Sequence, residues 1–311
     1  MRRLIAALLL SSVVGAATAA HAADPESCRT VRISDLGWTD IALTSNTAAK
    51  ILTALGYQPE MQLLGLNVTY EMLKKGDIDV FLGNWRPIQD EQFKSYYDEG
   101  SVVPLAVNLE GAKYTLAVPK YVADAGVKSF DDLAAHADQF GSKIYAIEPG
   151  SNQPLLDMVA ADRHGLGKWE IVESSEAAML AQVDKSVPKK EWVVFLGWEP
   201  HPMNMTLQME YLSGGDIEFG PNFGGATVRT IARKDFAAQC PNAARLFSNL
   251  VFDLAYENVG MDMIMNKGET AEDAAVAMMA KHPEKVEKWL DGVTTFDGQP
   301  GLAAVKTAIG Q

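Results

Sequence analysis

Short apolar runs alternate along the chain with segments of helical periodicity. Four runs predict buried strands, at residues 31–33, 78–82, 143–147 and 192–196. Four segments predict helices, at residues 46–55, 68–75, 155–163 and 175–183. From residue 242 onward the pattern is mostly helical. This order of strands and helices predicts an α/β fold with parallel sheets that are covered by helices on both faces.

One sequence pattern occurs twice, as FLGNWRP at residues 81–87 and as FLGWEP at residues 195–200. In each copy an apolar run ends at a glycine, and a tryptophan and then a proline follow within four residues. Trp85 and Trp198 are therefore predicted to lie just past the carboxyl ends of two strands. Ligands of open α/β sheets bind at that edge, so each of two lobes would contribute one tryptophan to a crevice.

The predicted strands and turns divide the chain into two lobes joined by two hinge crossovers, near Gly111 and Gly224. The first lobe is predicted to be discontinuous and to comprise residues 23–111 and 223–311. The second lobe, residues 112–222, is predicted to be inserted between these parts. Each lobe is expected to be a sheet flanked by helices.

The first residues have the pattern of a signal peptide. Arg2 and Arg3 precede an apolar run that extends to about Val14, and an A-x-A site occupies residues 20–22. We predict that residues 1–22 are the signal peptide and that cleavage follows Ala22. The alternative is a membrane anchor, but the run is shorter than the roughly 20 residues that span a bilayer. The mature protein is expected to be soluble.

The mature chain contains only two cysteines, Cys28 and Cys240. Exported proteins meet an oxidising environment, so a single disulfide is predicted between them. It would close a loop of more than 200 residues and would tie the start of the chain to its last third. Two free buried thiols are the alternative.

The net charge argues against a nucleic-acid partner. The whole chain has 27 basic and 40 acidic residues, and loss of Arg2 and Arg3 with the signal peptide leaves a formal charge of −15. Binding to nucleic acid requires a basic surface, and no basic patch is visible in the sequence.

Motifs of enzymes are missing from the sequence, including HExxH, GxSxG, the P-loop, GxGxxG after a strand, and CxxC. The four histidines beyond the signal peptide, at positions 136, 164, 201 and 282, are scattered without partners at metal-ligand spacing. We therefore predict no catalytic residue, no metal and no cofactor. His201 lies near the proposed crevice, and we interpret it as a support of its loop.

Aromatic residues occur where the crevice is predicted, namely Trp38, Trp85, Tyr114 and Trp198. Any one of them alone would be interpreted as core packing. Together they predict an aromatic cage for a quaternary ammonium ion, which has no N–H to donate and is attracted to ring faces. Asp40, two residues after Trp38, is the candidate counter-charge; the alternative role for Asp40 is a helix cap or turn residue.

Long motifs in this sequence resemble the periplasmic choline-binding proteins of ABC importers, within the wider family of quaternary-amine substrate-binding proteins. The resemblance extends over essentially the whole mature chain and is densest in DLGWTD, IDVFLGNWRP, NLEGAKYTLAV, IYAIEPGSN, VFLGWEPHPMN, YLSGG and GPNFGGATV. It implies a two-lobe fold of the type II periplasmic-binding kind. It also implies that the four aromatic residues form the cage, that Asp40 faces the charge, and that Asn152 reaches the polar end of the ligand.

The function implied by the resemblance is capture of choline in the periplasm and its delivery to a permease and ATPase complex. The protein is expected to be a monomer that is not inserted in the membrane. A betaine-binding protein is the nearest alternative; it would need donors for a ligand carboxylate, which Arg86 could supply. An exported hydrolase of choline esters is an alternative of another class, and it would need a nucleophile beside a base.

Overall fold

The structure is a computed structural model that describes residues 24–310. The predicted signal peptide lies outside the described residues. The strands are β1 (Thr30–Asp35), β2 (Gln58–Leu63), β3 (Val80–Arg86), β4 (Val102–Pro119), β5 (Lys143–Ala146), β6 (Glu170–Glu173), β7 (Phe195–Glu199), β8 (Met209–Tyr211) and β9 (Gly225–Arg233).

Helices cover the sheet and form most of the last third of the described chain. They are α1 (Thr39–Ala54), α2 (Leu66–Lys75), α3 (Ile88–Gln92), α4 (Lys94–Asp98), α5 (Lys120–Asp124), α6 (Phe130–Leu133), α7 (Ala137–Phe140), α8 (Gln153–Ala160), α9 (Glu176–Ser186), α10 (Met203–Thr206), α11 (Asp216–Phe219), α12 (Pro221–Gly224), α13 (Phe236–Gln239), α14 (Pro241–Asn249), α15 (Leu254–Met265), α16 (Ala271–Lys281), α17 (Pro283–Trp289) and α18 (Gly301–Ala308). Among residues 24–310, no helix has the length and apolarity that a membrane span requires.

The strands form a sheet in the order β2-β1-β3-β9-β4-β7-β5-β6, with β8 beside β4. β1 runs parallel to β2 and β3, and β5 runs parallel to β6 and β7. β9 is antiparallel to β3 and β4, and β4 is antiparallel to β7 and β8. The prediction of purely parallel sheets is therefore wrong, because the two strands that connect the lobes run in opposite directions through the centre.

The long strand β4 belongs to both halves of the molecule. Its first part pairs with β9, as far as Lys113 opposite Gly225. From Lys113 onward it pairs with β7, and near its end it also pairs with β8. We propose that the lobes divide as the sequence predicts, into residues 23–111 with 223–311 and residues 112–222, because β4 changes partners and β9 begins close to these limits.

Gly224, directly before β9, allows the backbone of the second crossing to pass close to β4, which is the first crossing. Its φ is +68°, a left-handed conformation that favours glycine, and a Cβ placed there would lie 1.9 Å from the carbonyl oxygen of Tyr114. No side chain fits in that space. The backbone of Tyr114 is thus held where the two crossings meet.

A disulfide joins Cys28 to Cys240, with the two Cα atoms 5.7 Å apart. The predicted pairing is confirmed, and the alternative of two free thiols is wrong. Asp24 strengthens the same connection, because its carboxylate accepts hydrogen bonds from the backbone N–H groups of Asn242 and Ala243, at 2.8 and 2.9 Å. The start of the described chain is therefore fastened to the first turn of α14.

Removal of this disulfide is expected to lower stability without changing the cavity. A bond that closes a loop of this length constrains the unfolded chain, so we expect the Cys28→Ser, Cys240→Ser double variant to lose roughly 2–5 kcal/mol of unfolding free energy. Denaturant unfolding of both proteins measures the loss. An unchanged midpoint would contradict the prediction, and ligand titration of the folded variant provides the control because neither cysteine lines the cavity.

Candidate ligand-binding site

A cavity lies between the two lobes and beside the crossing strands. The volume that the centre of a water-sized sphere can occupy in it is about 40 Å³. Its lining residues are Trp38, Asp40, Leu66, Trp85, Ile88, Gln89, Gln92, Tyr114, Ile147, Ser151 and Trp198. The wall is mainly aromatic and aliphatic, and these lining residues include one carboxylate but no Lys, Arg or His.

Trp38 lies between β1 and α1, directly before the first residue of the helix. Only 7% of it is exposed. Its indole Nε1–H donates to Oε2 of Glu148, at 2.9 Å, and Glu148 belongs to the loop after β5. A residue of the second lobe therefore holds the orientation of this ring.

Trp85 and Trp198 are the penultimate residues of β3 and β7. The prediction that they lie past the strand ends is wrong, because antiparallel neighbours extend both strands beyond the glycines: Trp85 pairs with Val228 of β9, and Trp198 pairs with Tyr114 of β4. A cis proline peptide follows each strand's last residue, at Arg86–Pro87 and at Glu199–Pro200. The repeated sequence pattern thus corresponds to a repeated local structure.

Tyr114 lies on β4 at the crossing, between aromatic neighbours. Its ring centroid is 6.2 Å from that of Trp85 and 5.5 Å from that of Phe219. Burial raises the pKa of the Tyr114 hydroxyl, and the carboxylate of Glu148 raises it further. The phenol therefore stays neutral at physiological pH.

Asp40 is in the first turn of α1 and is only 3% exposed. Its Oδ2 accepts a hydrogen bond from Nε1–H of Trp85, at 3.2 Å. The N-cap position of α1 is occupied by Trp38, so Asp40 is not the cap residue. Burial raises the pKa of Asp40 to about 7, with a further contribution from the carboxylate of Glu176. A cation in the cavity would favour the ionised form of Asp40.

A second buried acid, Glu257 on α15, lies close enough to Asp40 for the two to interact electrostatically. Burial raises the pKa of Glu257 well above its ordinary value, and the charge of Asp40 raises it further. Burial thus favours the protonated, uncharged form of Glu257.

Asn152 is not among the residues that line the cavity. Its Nδ2 lies within hydrogen-bonding distance of the carbonyl oxygens of Ile147 and Glu148 and of a carboxylate oxygen of Glu173, at 2.8, 3.0 and 2.8 Å. These bonds shape the turn between β5 and α8. Ser151 is the polar residue of this turn that lines the cavity, so a ligand contact for Asn152 stays a prediction.

Gln92 lines the cavity and was not predicted from the sequence, where nothing distinguishes it from other polar residues. Its Nε2 donates to the carbonyl oxygen of Gly150 in the second lobe, at 2.7 Å. This bond determines which way the amide faces. Its Oε1 is buried and has no hydrogen-bond partner among the described residues.

Further hydrogen bonds cross between the lobes at the first turn of α1. Thr39 donates from its backbone N–H and from its hydroxyl to the carboxylate of Glu176, at 3.1 and 2.6 Å. His201 Nε2 lies 3.2 Å from the same carboxylate, and the His201 ring packs against that of Trp198, with centroids 4.8 Å apart. Together with the bonds of Trp38 and Gln92, these contacts show that the two lobes are closed on each other.

Residues 29–281 match the family described as the substrate binding domain of ABC-type glycine betaine transport systems. The chain belongs to this family. An ABC-transporter choline binding protein, solved in complex with choline, is 51% identical; the match covers 92% of this chain and 100% of that one, with a TM-score of 0.90. The predicted two-lobe α/β fold of periplasmic binding proteins is confirmed by this similarity.

Two further relatives help to place this substrate-binding protein. A choline binding protein in an unliganded semi-closed conformation is also 51% identical over 92% of this chain and 100% of that one, but its TM-score is lower, at 0.84. The higher TM-score to the choline complex agrees with the closed lobes. The glycine betaine/carnitine transport binding protein of Listeria monocytogenes is 29% identical over 163 residues, which are 52% of this chain and 53% of that protein.

Proposed function

We propose that this protein captures choline between its lobes and delivers it to an ABC importer. The observation that carries the proposal is the cavity wall, in which four aromatic rings surround a space with one buried carboxylate, Asp40, and no cationic side chain. The sequence-predicted residues Trp38, Trp85, Tyr114 and Trp198 supply these rings. The 51% identity to a choline binding protein supports the same ligand.

The energetics of such a cage suit a quaternary ammonium ion. Each ring contributes roughly 0.5 to 2 kcal/mol of cation–π attraction, with the upper values reached when water is excluded. Micromolar affinity needs about 8 kcal/mol. Four rings therefore supply a large part of that free energy, and apolar burial on closure with the charge of Asp40 supplies the remainder.

The polar end of choline is its hydroxyl, which can donate one hydrogen bond. The buried Oε1 of Gln92, which lacks a partner among the described residues, is a suitable acceptor. Ser151 is the second candidate because it lines the same cavity. Asn152 stays a predicted contact, since its buried Oδ1 also lacks a hydrogen-bond partner among the described residues.

Glycine betaine is the second candidate ligand, and the family description and the Listeria relative favour it. Its carboxylate would need hydrogen-bond donors. The indole N–H groups of Trp38 and Trp85 already donate to Glu148 and Asp40. Arg86, the donor considered from the sequence, pairs with Asp90 at 2.5 Å and does not line the cavity. The wall therefore offers no cationic donor for a carboxylate, which favours choline over betaine.

A hydrolase of choline esters has less support. Ser151 is the aliphatic hydroxyl in the wall, and a serine nucleophile needs an adjacent base. Both ring nitrogens of His201, the histidine nearest to the cavity, are engaged by Glu176 and by the backbone N–H of Met203. The family and the solved relatives are substrate-binding proteins of transporters, so we assign this chain to transport and not to catalysis.

The proposed location is the periplasm, where a signal peptide at residues 1–22 would direct the protein. There a monomer without metal or cofactor would hand its ligand to the permease and ATPase of the importer. The family supports the delivery of a ligand to an importer, because its members bind substrates for ABC-type transport systems; the monomeric state and the lack of a metal and of a cofactor stay predictions.

Calorimetry of one purified sample tests the proposal. Choline, acetylcholine, glycine betaine and proline betaine are titrated in turn under identical conditions. We expect choline to bind with micromolar or tighter affinity, because the aromatic wall and Asp40 match its charge and no cationic side chain in the wall matches a carboxylate. Tighter binding of either betaine would overturn the assignment of choline, and binding of none of the four would overturn the assignment to quaternary amines.

A further inference from the structure

Two carboxylates of the second lobe, Glu148 and Glu176, accept hydrogen bonds from the segment that carries Trp38 and Asp40. We call this pair the acidic clasp. Glu148 accepts from Trp38 through Oε2, and its Oε1 accepts from the backbone N–H of Glu176, at 2.9 and 3.0 Å. Glu176 accepts twice from Thr39. The clasp thus forms only when the lobes are closed. Its hydrogen bonds hold Trp38 and Thr39, the two residues directly before Asp40.

The partners of the acidic clasp leave its negative charge uncompensated. Among the described residues, neither carboxylate forms an ion pair with a lysine or arginine. His201 is the nearest titratable partner of Glu176, and its Nδ1 accepts a hydrogen bond from the backbone N–H of Met203, at 3.0 Å. Because Nδ1 is an acceptor, the ring proton is on Nε2, where it points at Glu176. The imidazole in this arrangement is neutral, so it orients Glu176 without cancelling its charge.

Closure therefore places like charges together around the cavity. Asp40 faces Glu176 across the lobe interface. Glu176 is buried and Glu148 is half-buried. Solvent therefore screens their charges poorly. A ligand that carries a net positive charge offsets this repulsion, whereas a zwitterion brings a further carboxylate into the same closed space.

We propose that the acidic clasp, Glu148 with Glu176, makes lobe closure depend on the net charge of the ligand and so selects cations over zwitterions. This inference rests on the proposed function, since it concerns how the same cavity discriminates choline from betaine. Asp40 contacts the ligand side of the cavity, while the clasp residues act through Trp38 and Thr39 and are positioning residues. The discrimination arises because a ligand shifts the closed population only by its differential affinity for the closed form.

The test compares charge removal with hydrogen-bond removal in the same contact. Glu176→Gln and Glu148→Gln remove one charge each and keep the side-chain shape, whereas Thr39→Val removes a bond to Glu176 and leaves both charges. Glu170→Gln, a change in the surface pair with Lys143, is the control outside the cavity. Choline and glycine betaine are titrated by calorimetry into each protein, with competition against choline where betaine binds weakly.

For each clasp variant we expect the ratio of choline affinity to betaine affinity to fall by about tenfold, within the range of ordinary coupling between sites. In Thr39→Val both ligands should weaken by the same factor, and in Glu170→Gln neither should change. Equal losses of both ligands in the clasp variants would overturn the proposal, because the carboxylates would then act only as hydrogen-bond acceptors. If Glu176→Gln does not fold, Glu148→Gln decides by the same criterion.

Failure of the clasp and failure of the proposed function give different results. A wild-type protein that does not bind choline overturns the assigned function and with it the inference. A wild-type protein that prefers choline, with an unchanged preference in the folded clasp variants, overturns the clasp alone.

Discussion

Trp198→Ala is expected to abolish tight choline binding and the compaction that choline induces. Trp198 is the tryptophan that the second lobe contributes to the cavity, and it lies opposite Tyr114 on the crossing strand. A cation held by the first lobe alone keeps part of its hydration and contacts fewer rings. Closure adds the face of Trp198 and excludes water, which increases every cation–π attraction toward the upper end of roughly 0.5 to 2 kcal/mol per ring.

Small-angle scattering with and without choline measures compaction, and calorimetry measures the affinity of the same samples. Trp192→Ala is a matched control, because Trp192 belongs to the same lobe and packs edge to face against Phe140, with centroids 5.3 Å apart, and it does not line the cavity. We expect this control to bind choline and to become compact. Wild-type protein that binds choline tightly without compaction would contradict the two-lobe mechanism. A Trp198→Ala protein that does not fold would show that Trp198, which is 4% exposed, is mainly a packing residue.

Asp40→Asn is expected to weaken choline binding by about 1 to 3 kcal/mol, because a desolvated cation loses its counter-charge. Betaine binding should weaken less, since the betaine carboxylate no longer meets a like charge. The pH dependence of choline binding should also disappear. Burial raises the pKa of Asp40 to about 7, so below this pH a cation must displace a proton, and the affinity should fall by up to about tenfold for each pH unit.

Titrations of wild type and Asp40→Asn between pH 5 and pH 8 examine both effects together. In the wild type we expect choline affinity to decrease as the pH falls below about 7 and to level off above it, because Asp40 is then ionised before the ligand arrives. Equal losses of choline and betaine in Asp40→Asn, with the pH profile retained, would show that Asp40 is only structural. Asp90→Asn is a suitable control, since this carboxylate pairs with Arg86 outside the cavity wall.

The sequence alone predicted the disulfide correctly, and it singled out Trp38, Trp85, Tyr114 and Trp198, which line one cavity, because local signals mark these residues. Trp85 and Trp198 follow apolar runs that end in glycine, and Trp38 follows the first strand, so all three were expected at strand ends, where ligands of α/β sheets bind. Cys28 and Cys240 were the only pair that an oxidising compartment could join. Each of these inferences needed only residue type, short spacing or composition.

The tertiary structure alone decided which strands cross between the lobes and which polar residues reach the cavity. Antiparallel pairing with β9 extends β3 through Trp85, and antiparallel pairing with β4 extends β7 through Trp198. The turn after β5 presents Ser151 rather than Asn152 to the cavity. The acidic clasp joins Trp38 to Glu148 and Thr39 to Glu176, which are 110 and 137 residues apart in the chain. Glutamates at such distances have no common local pattern, and they meet the first turn of α1 only because two separate lobes close over one cavity.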